Sequence, residues 1–135
     1  MTDYPYDLGS YSRPVSTSSA EAQTWFDRGL AWCYGFNHEE SVRCFRSAAD
    51  HDPACVMAWW GIAYALGPNY NKAWEAFDDV ELPRAVRGAY AATEQALALA
   101  ESASPVERAL IEALRYRYPS DRPADDCSIW PFAAN

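Results

Sequence analysis

The residues best suited to chemistry are few. His38 and Glu39 adjoin, and Asn69, Tyr70 and Asn71 follow in the run Gly67-Pro68-Asn69-Tyr70-Asn71. An imidazole or carboxylate can exchange protons while amides and a phenol orient a ligand, so these five residues form a candidate ligand site. Their blander uses are equally physical. A histidine beside an N-cap starts a helix, and asparagines in such a turn do cap and turn chemistry. No nucleophile elbow, phosphate-binding glycine loop or zinc motif accompanies them. No catalytic residue is assigned, and an enzyme is the lesser reading beside a binding module.

Metal chemistry is disfavoured by spacing. His38 and His51 stand 13 residues apart on one expected helix. That is roughly 20 Å of axis and about 220° of rotation, so they cannot share an ion. Cys44 and His51 share a face but are separated by roughly 10 Å. Cysteines 33, 44, 55 and 127 contain no C-x-x-C and read as free thiols. No metal and no cofactor is expected.

The elements that carry these residues are helical. The chain has 24 Ala against 6 Val, 3 Ile and 4 Thr, a balance that favours helices over strands. Its net charge is −8 and Lys72 is the one lysine, so dispersed arginines offer no footprint for nucleic acid or an anionic membrane surface. No run approaches 18 uncharged apolar residues, and the start lacks a basic region followed by an apolar one. A cytoplasmic protein is expected.

Residues 1–17 are polar and aperiodic and read as a flexible arm, with Tyr4, Tyr6 and Tyr11 able to dock on a partner. A helical domain is expected over 18–118. Ser18 and Glu21 form a capping box for a first helix over 20–34, stopped by Gly35. Asn37 caps a second helix over 38–51, with Glu39 and Arg43 as an i,i+4 pair. Asp52-Pro53 opens a third over 53–66, ended by Gly67-Pro68. A long loop, 67–82, holds a helical turn over 72–78. Pro83 opens a fourth helix over 83–102. Ser104, Pro105 and Glu107 open a fifth over 105–117. Residues 119–135 carry three prolines and read as an irregular tail.

Trp25 and Trp59 are 34 residues apart, and Gly29 and Trp32 match Ala63 and Leu66 at the same offset. Trp25-x2-Arg28-Gly29-x2-Trp32 followed by Ser41-x3-Phe45-x2-Ala48-x4-Pro53 resembles the tetratricopeptide repeat. Arg28 stands where that pattern has an aliphatic residue, and Ser41 where it has alanine. The phrases Phe36-Asn37-His38-Glu39-Glu40, Trp59-Trp60-Gly61-Ile62-Ala63 and Gly67-Pro68-Asn69-Tyr70-Asn71 are similar to a group of longer bacterial tetratricopeptide proteins. The resemblance covers about residues 20–120, with units at about 22–55, 56–104 (interrupted by the loop) and a partial 105–118.

The resemblance implies an all-α fold of about five helices: antiparallel hairpins stacked as a short solenoid. It implies an interaction scaffold with a protein or peptide partner, bound in a groove lined by each unit's first helix. Gln23, Phe26, Leu30, Cys33 and Tyr34 are the groove candidates of the first unit, and Met57, Trp60 and Tyr64 those of the second. These side chains are apolar or aromatic rather than the lysines and asparagines of a carboxylate clamp. They suit an apolar or proline-containing segment or a ring-bearing ligand. Two and a half units lack a polar capping helix, so an apolar face is expected near the fifth helix. A second copy, a partner, further repeats of a longer parent chain, or Ile129, Trp130 and Phe132 of the tail would cover it.

Overall fold

The computed structural model describes residues 4–68 and 72–123. Among them the chain forms five α-helices: α1 (Ala20–Tyr34), α2 (His38–His51), α3 (Val56–Leu66), α4 (Glu81–Ala98) and α5 (Pro105–Arg117). Short 3₁₀ turns lie at Trp74–Ala76 and Ala100–Ser102. Each of the first four helices packs on its neighbour in sequence, and α5 rests on α3 and α4. The fold is all-α and helical-repeat-like. No described helix is long and apolar enough to cross a membrane.

Local chemistry explains the helix boundaries: α1, α2 and α5 keep their expected bounds, whereas the starts of α3 and α4 move and α4 ends at Ala98 rather than at 102. Ser19, not Ser18, caps α1: its side chain accepts from the Ala22 N–H at 3.1 Å. The residue three beyond Ser19 is alanine, so the expected Ser18–Glu21 box gives way to a single bond. Gly35 ends α1 as expected, but the left-handed turn that follows falls on Phe36, at φ 63°. Asn37 caps α2 through the Glu40 N–H. The i,i+3 partner Glu40, rather than Glu39, pairs with Arg43 at 3.2 Å.

α3 begins at Val56, three residues after Pro53, because Asp52 is engaged elsewhere. Its carboxylate accepts from the Ala54 N–H and the Thr17 hydroxyl. α4 begins at Glu81, two residues before Pro83, because Asp78 Oδ1 accepts from the N–H groups of Val80 and Glu81 at 2.8 Å each. Pro83 then sits in the first turn, where no N–H has an intrahelical partner. α5 carries the expected capping box between Ser104 and Glu107, with Pro105 behind the cap.

The core is organised around Phe45 of α2, which is fully buried. Gly29 of α1 and Gly61 of α3 face its ring from opposite neighbours. A Cβ on either glycine would fall 2.5 Å from a ring carbon, so both helices approach α2 only because those side chains are missing. Ser41, one turn before Phe45, donates to the Gly29 carbonyl at 2.7 Å. The hydroxyl that departs from the repeat pattern is therefore a buried tie between α1 and α2. Cys33, Cys44 and Cys55 are buried free thiols, each pushed up in pKa by burial first of all.

Residues 4–17 have no regular secondary structure, yet they are tied down at several points that the expectation of a flexible arm does not anticipate. The N–H groups of Arg13 and Val15 donate to Asp27 and Gln23 of α1 at 3.0 Å each. Ser16 N–H donates to Glu107 of α5 at 2.9 Å. Glu107 is buried and also closes its own capping box. Burial opposes its charge, but the hydrogen bonds from Ser16 and Ser104 outweigh it and hold the carboxyl below its ordinary value. Val106 and Tyr116 of α5 remain exposed.

Two stability experiments follow from this core. Gly29→Ala or Gly61→Ala is expected to lower unfolding free energy in urea by about 1–3 kcal/mol, overpacking around Phe45 exceeding the roughly 1 kcal/mol gained in helix propensity. A neutral result would mean that the Phe45 ring can yield. For Glu107, the stabilising contribution is complete above its ordinary value of 4.5 and is lost as pH falls through the lower folded-state value. Urea midpoints should decline in that acid range. Glu107→Gln should flatten that part of the profile, and an unchanged profile would contradict the assignment.

Candidate functional site

The expected groove residues separate into two groups. Phe26, Leu30 and Met57 are core residues, 0%, 6% and 3% exposed. Phe26 packs on Phe45 with ring centroids 5.4 Å apart. They cannot line an open groove: the stripe read as facing a partner is the stripe that closes on α2. Cys33 is buried as well, and Gln23 is occupied with residues 13 and 15 of the amino-terminal segment. Tyr34 is exposed and lies edge-on to Tyr11. Trp60 and Tyr64 stack at 5.0 Å on α3, with the Arg117 guanidinium 5.4 Å above Tyr64. Three of the eight expected groove residues, Tyr34, Trp60 and Tyr64, thus remain reachable, as two separate aromatic spots.

A different concavity gathers the other candidates. A cleft of about 450 Å³ opens between the first turns of α2 and α4, over the end of α3. His38, Glu39, Val42 and Arg43 come from α2, Ala65, Leu66 and Gly67 from the α3 terminus, and Glu81, Arg84 and Ala85 from α4. Lys72 and Phe77 enter from the connection between α3 and α4. Its volume falls within the range of ligand pockets. The floor of Val42, Ala65, Leu66, Phe77 and Ala85 is apolar, and the rim carries charges of both signs.

Each side of the rim is fixed by a local cause. Asn37 caps α2 and so places His38 and Glu39 in its first turn. Burial lowers the His38 pKa, against a smaller opposing effect of a hydrogen bond with the Phe36 backbone. The shift favours the neutral imidazole, which is both a donor and an acceptor. Lys72 Nζ meets Glu81 at 2.9 Å and lies 4.5 Å from the Phe77 ring centroid. That ion pair and the Asp78 turn lower the Glu81 pKa. Both groups are partly exposed, so the pair orients more than it stabilises.

The far end of the cleft is pinned from α5. Tyr118 is buried, its hydroxyl against the Gly67 backbone at a distance that leaves no room for a Cβ. Burial pushes its pKa up to about 12, and nearby Arg117 acts in the opposite sense. Arg117 also donates to the Pro68 carbonyl. The loop thus leaves α3 along a path set by α5.

His38 and Glu39 line the cleft together. Asn69, Tyr70 and Asn71 lie outside the described residues, as do Cys127, Ile129, Trp130 and Phe132. Sequence reading missed Lys72, Phe77 and Arg84. The available signal was weak: the one lysine, and an aromatic residue in an unusually long connection. Among the described residues no group of three or more His, Cys, Asp or Glu is placed to hold a metal ion. No family model matches the chain, and no curated protein or solved structure does either.

The half-buried imidazole has a measurable signature. With a folded-state pKa below its ordinary 6.5, His38 contributes stability that is complete above pH 6.5 and is lost as pH falls through the folded value. Nuclear magnetic resonance titration should find His38 titrating below its ordinary value. A His38 value at or above 6.5 would contradict its placement.

Proposed function

We propose that this chain is a tetratricopeptide-like binding module whose working surface is the cleft between α2 and α4. The cleft takes an apolar side chain or ring from a protein or peptide segment, and the charged rim fixes its orientation. The observation that carries this is the combination of an apolar floor with His38, Lys72 and Arg84 around one opening of about 450 Å³. Burying one Leu- or Phe-sized anchor there contributes roughly 2–3 kcal/mol. The rim offers the paired Lys72–Glu81, a neutral imidazole and two arginines. Such an arrangement selects among partners more than it adds affinity. His38 serves as a hydrogen-bonding group here, with no catalytic role.

The stacked Trp60 and Tyr64 support a second reading, in which the partner lies along α3 as in the expected groove. Self-association through α5 rests on the exposed Val106 and Tyr116.

Anilinonaphthalene sulfonate, an apolar ring system with an anionic end, separates the two surfaces. Its fluorescence should rise on binding the folded chain. Phe77→Ala and Arg84→Glu should each weaken that binding by about ten-fold, a loss of roughly 1.4 kcal/mol. Tyr64→Ala should leave it unchanged. The opposite pattern would transfer the function to α3, and indifference to all three changes would remove both surfaces from consideration.

A further inference from the structure

A second built site lies on the outer face of α1, away from the cleft. Trp25, Arg28 and Trp32 recur there at three- and four-residue spacing, and Glu40 and Cys44 of α2 border them. Tyr4 of the amino-terminal segment is held among these five residues. Its hydroxyl donates to Glu40 Oε2 at 2.7 Å and accepts from Trp32 Nε1 at 2.7 Å. Cys44 Sγ stands 3.6 Å from the same oxygen. The ring lies edge-on to Trp25 at 5.4 Å, and the Arg28 guanidinium covers its face at 4.3 Å. Tyr6 adds an edge-on contact to Trp32 at 5.3 Å.

Every feature of a phenol is matched: an acceptor and a donor for the hydroxyl, a cation for the ring face, an indole for the ring plane. The match is also selective. Glu40 is oriented by Arg43 through its other oxygen, at 3.2 Å. A carboxylate in that place accepts a neutral hydroxyl and repels a phosphorylated one. Between Tyr6 and Arg13 the segment makes a local Asp7–Gly9 turn, with Gly9 at φ 82°, and Tyr11 contacts Tyr34. The segment is tethered, and the tyrosine at its end supplies the specific contacts.

We infer that the α1 face formed by Trp25, Arg28, Trp32 and Glu40 is a recognition site for an extended protein segment bearing an unmodified Tyr-x-Tyr pair. The chain's own Tyr4-Pro5-Tyr6 is its tethered occupant. A partner segment of the same chemistry displaces the tether, so the site is read out by competition. Tethering gives the internal segment an effective concentration on the order of millimolar, which the competitor must overcome.

The test uses the full chain with Tyr4→Ala and Tyr6→Ala together, which leaves the site empty, and a fluorescent synthetic peptide of residues 2–12. Anisotropy should show the peptide binding the variant at least about ten-fold more tightly than the unaltered chain. A peptide phosphorylated at the position of Tyr4 should not bind. Tyr4→Phe keeps the ring and should fall between the two chains, which decides the matter even where the double variant folds poorly. The inference is overturned if peptide affinity is the same for all three chains, or if the phosphorylated peptide binds equally. It is also overturned if light scattering shows the unaltered chain to be a dimer with exchanged segments.

Discussion

The fold depends on one ring. Phe45 fills the space between α1, α2 and α3, and it fits because Gly29 and Gly61 present backbone to it from both sides. A side chain as large as phenylalanine between three helices would ordinarily hold them apart. Two glycines convert it into the means of bringing them together, at an expense in helix propensity that the packing returns. The spacing of α2 from α3 also brings the first turn of α2 near that of α4, which is where the cleft opens. The cleft is thus an indirect product of a fully buried aromatic residue.

The departures from the repeat pattern have physical partners in the structure. Arg28, where an aliphatic residue is the norm, lies over Tyr4 and within 4.5 Å of the Trp25 ring centroid. Ser41, where alanine is the norm, bonds to the backbone of α1. Both sit in the hairpin of α1 and α2. The amino-terminal segment covers its outer face through Tyr4, and Arg28 lets the covered face be part polar. Ser16 then carries the same segment across to Glu107, so one irregular stretch links the first helix to the last.

Helix α2 was legible in the sequence because its signals are local: an asparagine cap at one end, and Asp52-Pro53 at the other. The start of α1 stands where expected, although Ser19 rather than Ser18 caps it. The starts of α3 and α4 were less legible, because Asp52 and Asp78 had a choice of backbone partners that residue type alone does not decide. The candidate site was half legible. His38 and Glu39 stand in the cleft, but the repeat pattern assigned Phe26, Leu30 and Met57 to an open groove when they close the core. Helical periodicity identifies an apolar stripe without saying which neighbour covers it. Lys72, Phe77 and Arg84 reach the cleft through long-range packing, and no local motif announces them. The seat of Tyr4 is the extreme case, since its partners lie 21 to 40 residues away along the chain.

The three buried thiols give the molecule an internal clock. Cys33 lies near the end of α1, Cys44 beneath Tyr4, and Cys55 at the entrance to α3. Burial keeps each one protonated and shielded, so none reacts while its surroundings are closed. Each becomes reactive only during the interval in which its own part of the fold is open. The rates at which the three thiols are modified therefore measure separate motions: fraying of the first hairpin, release of the amino-terminal segment, and parting of the second and third helices.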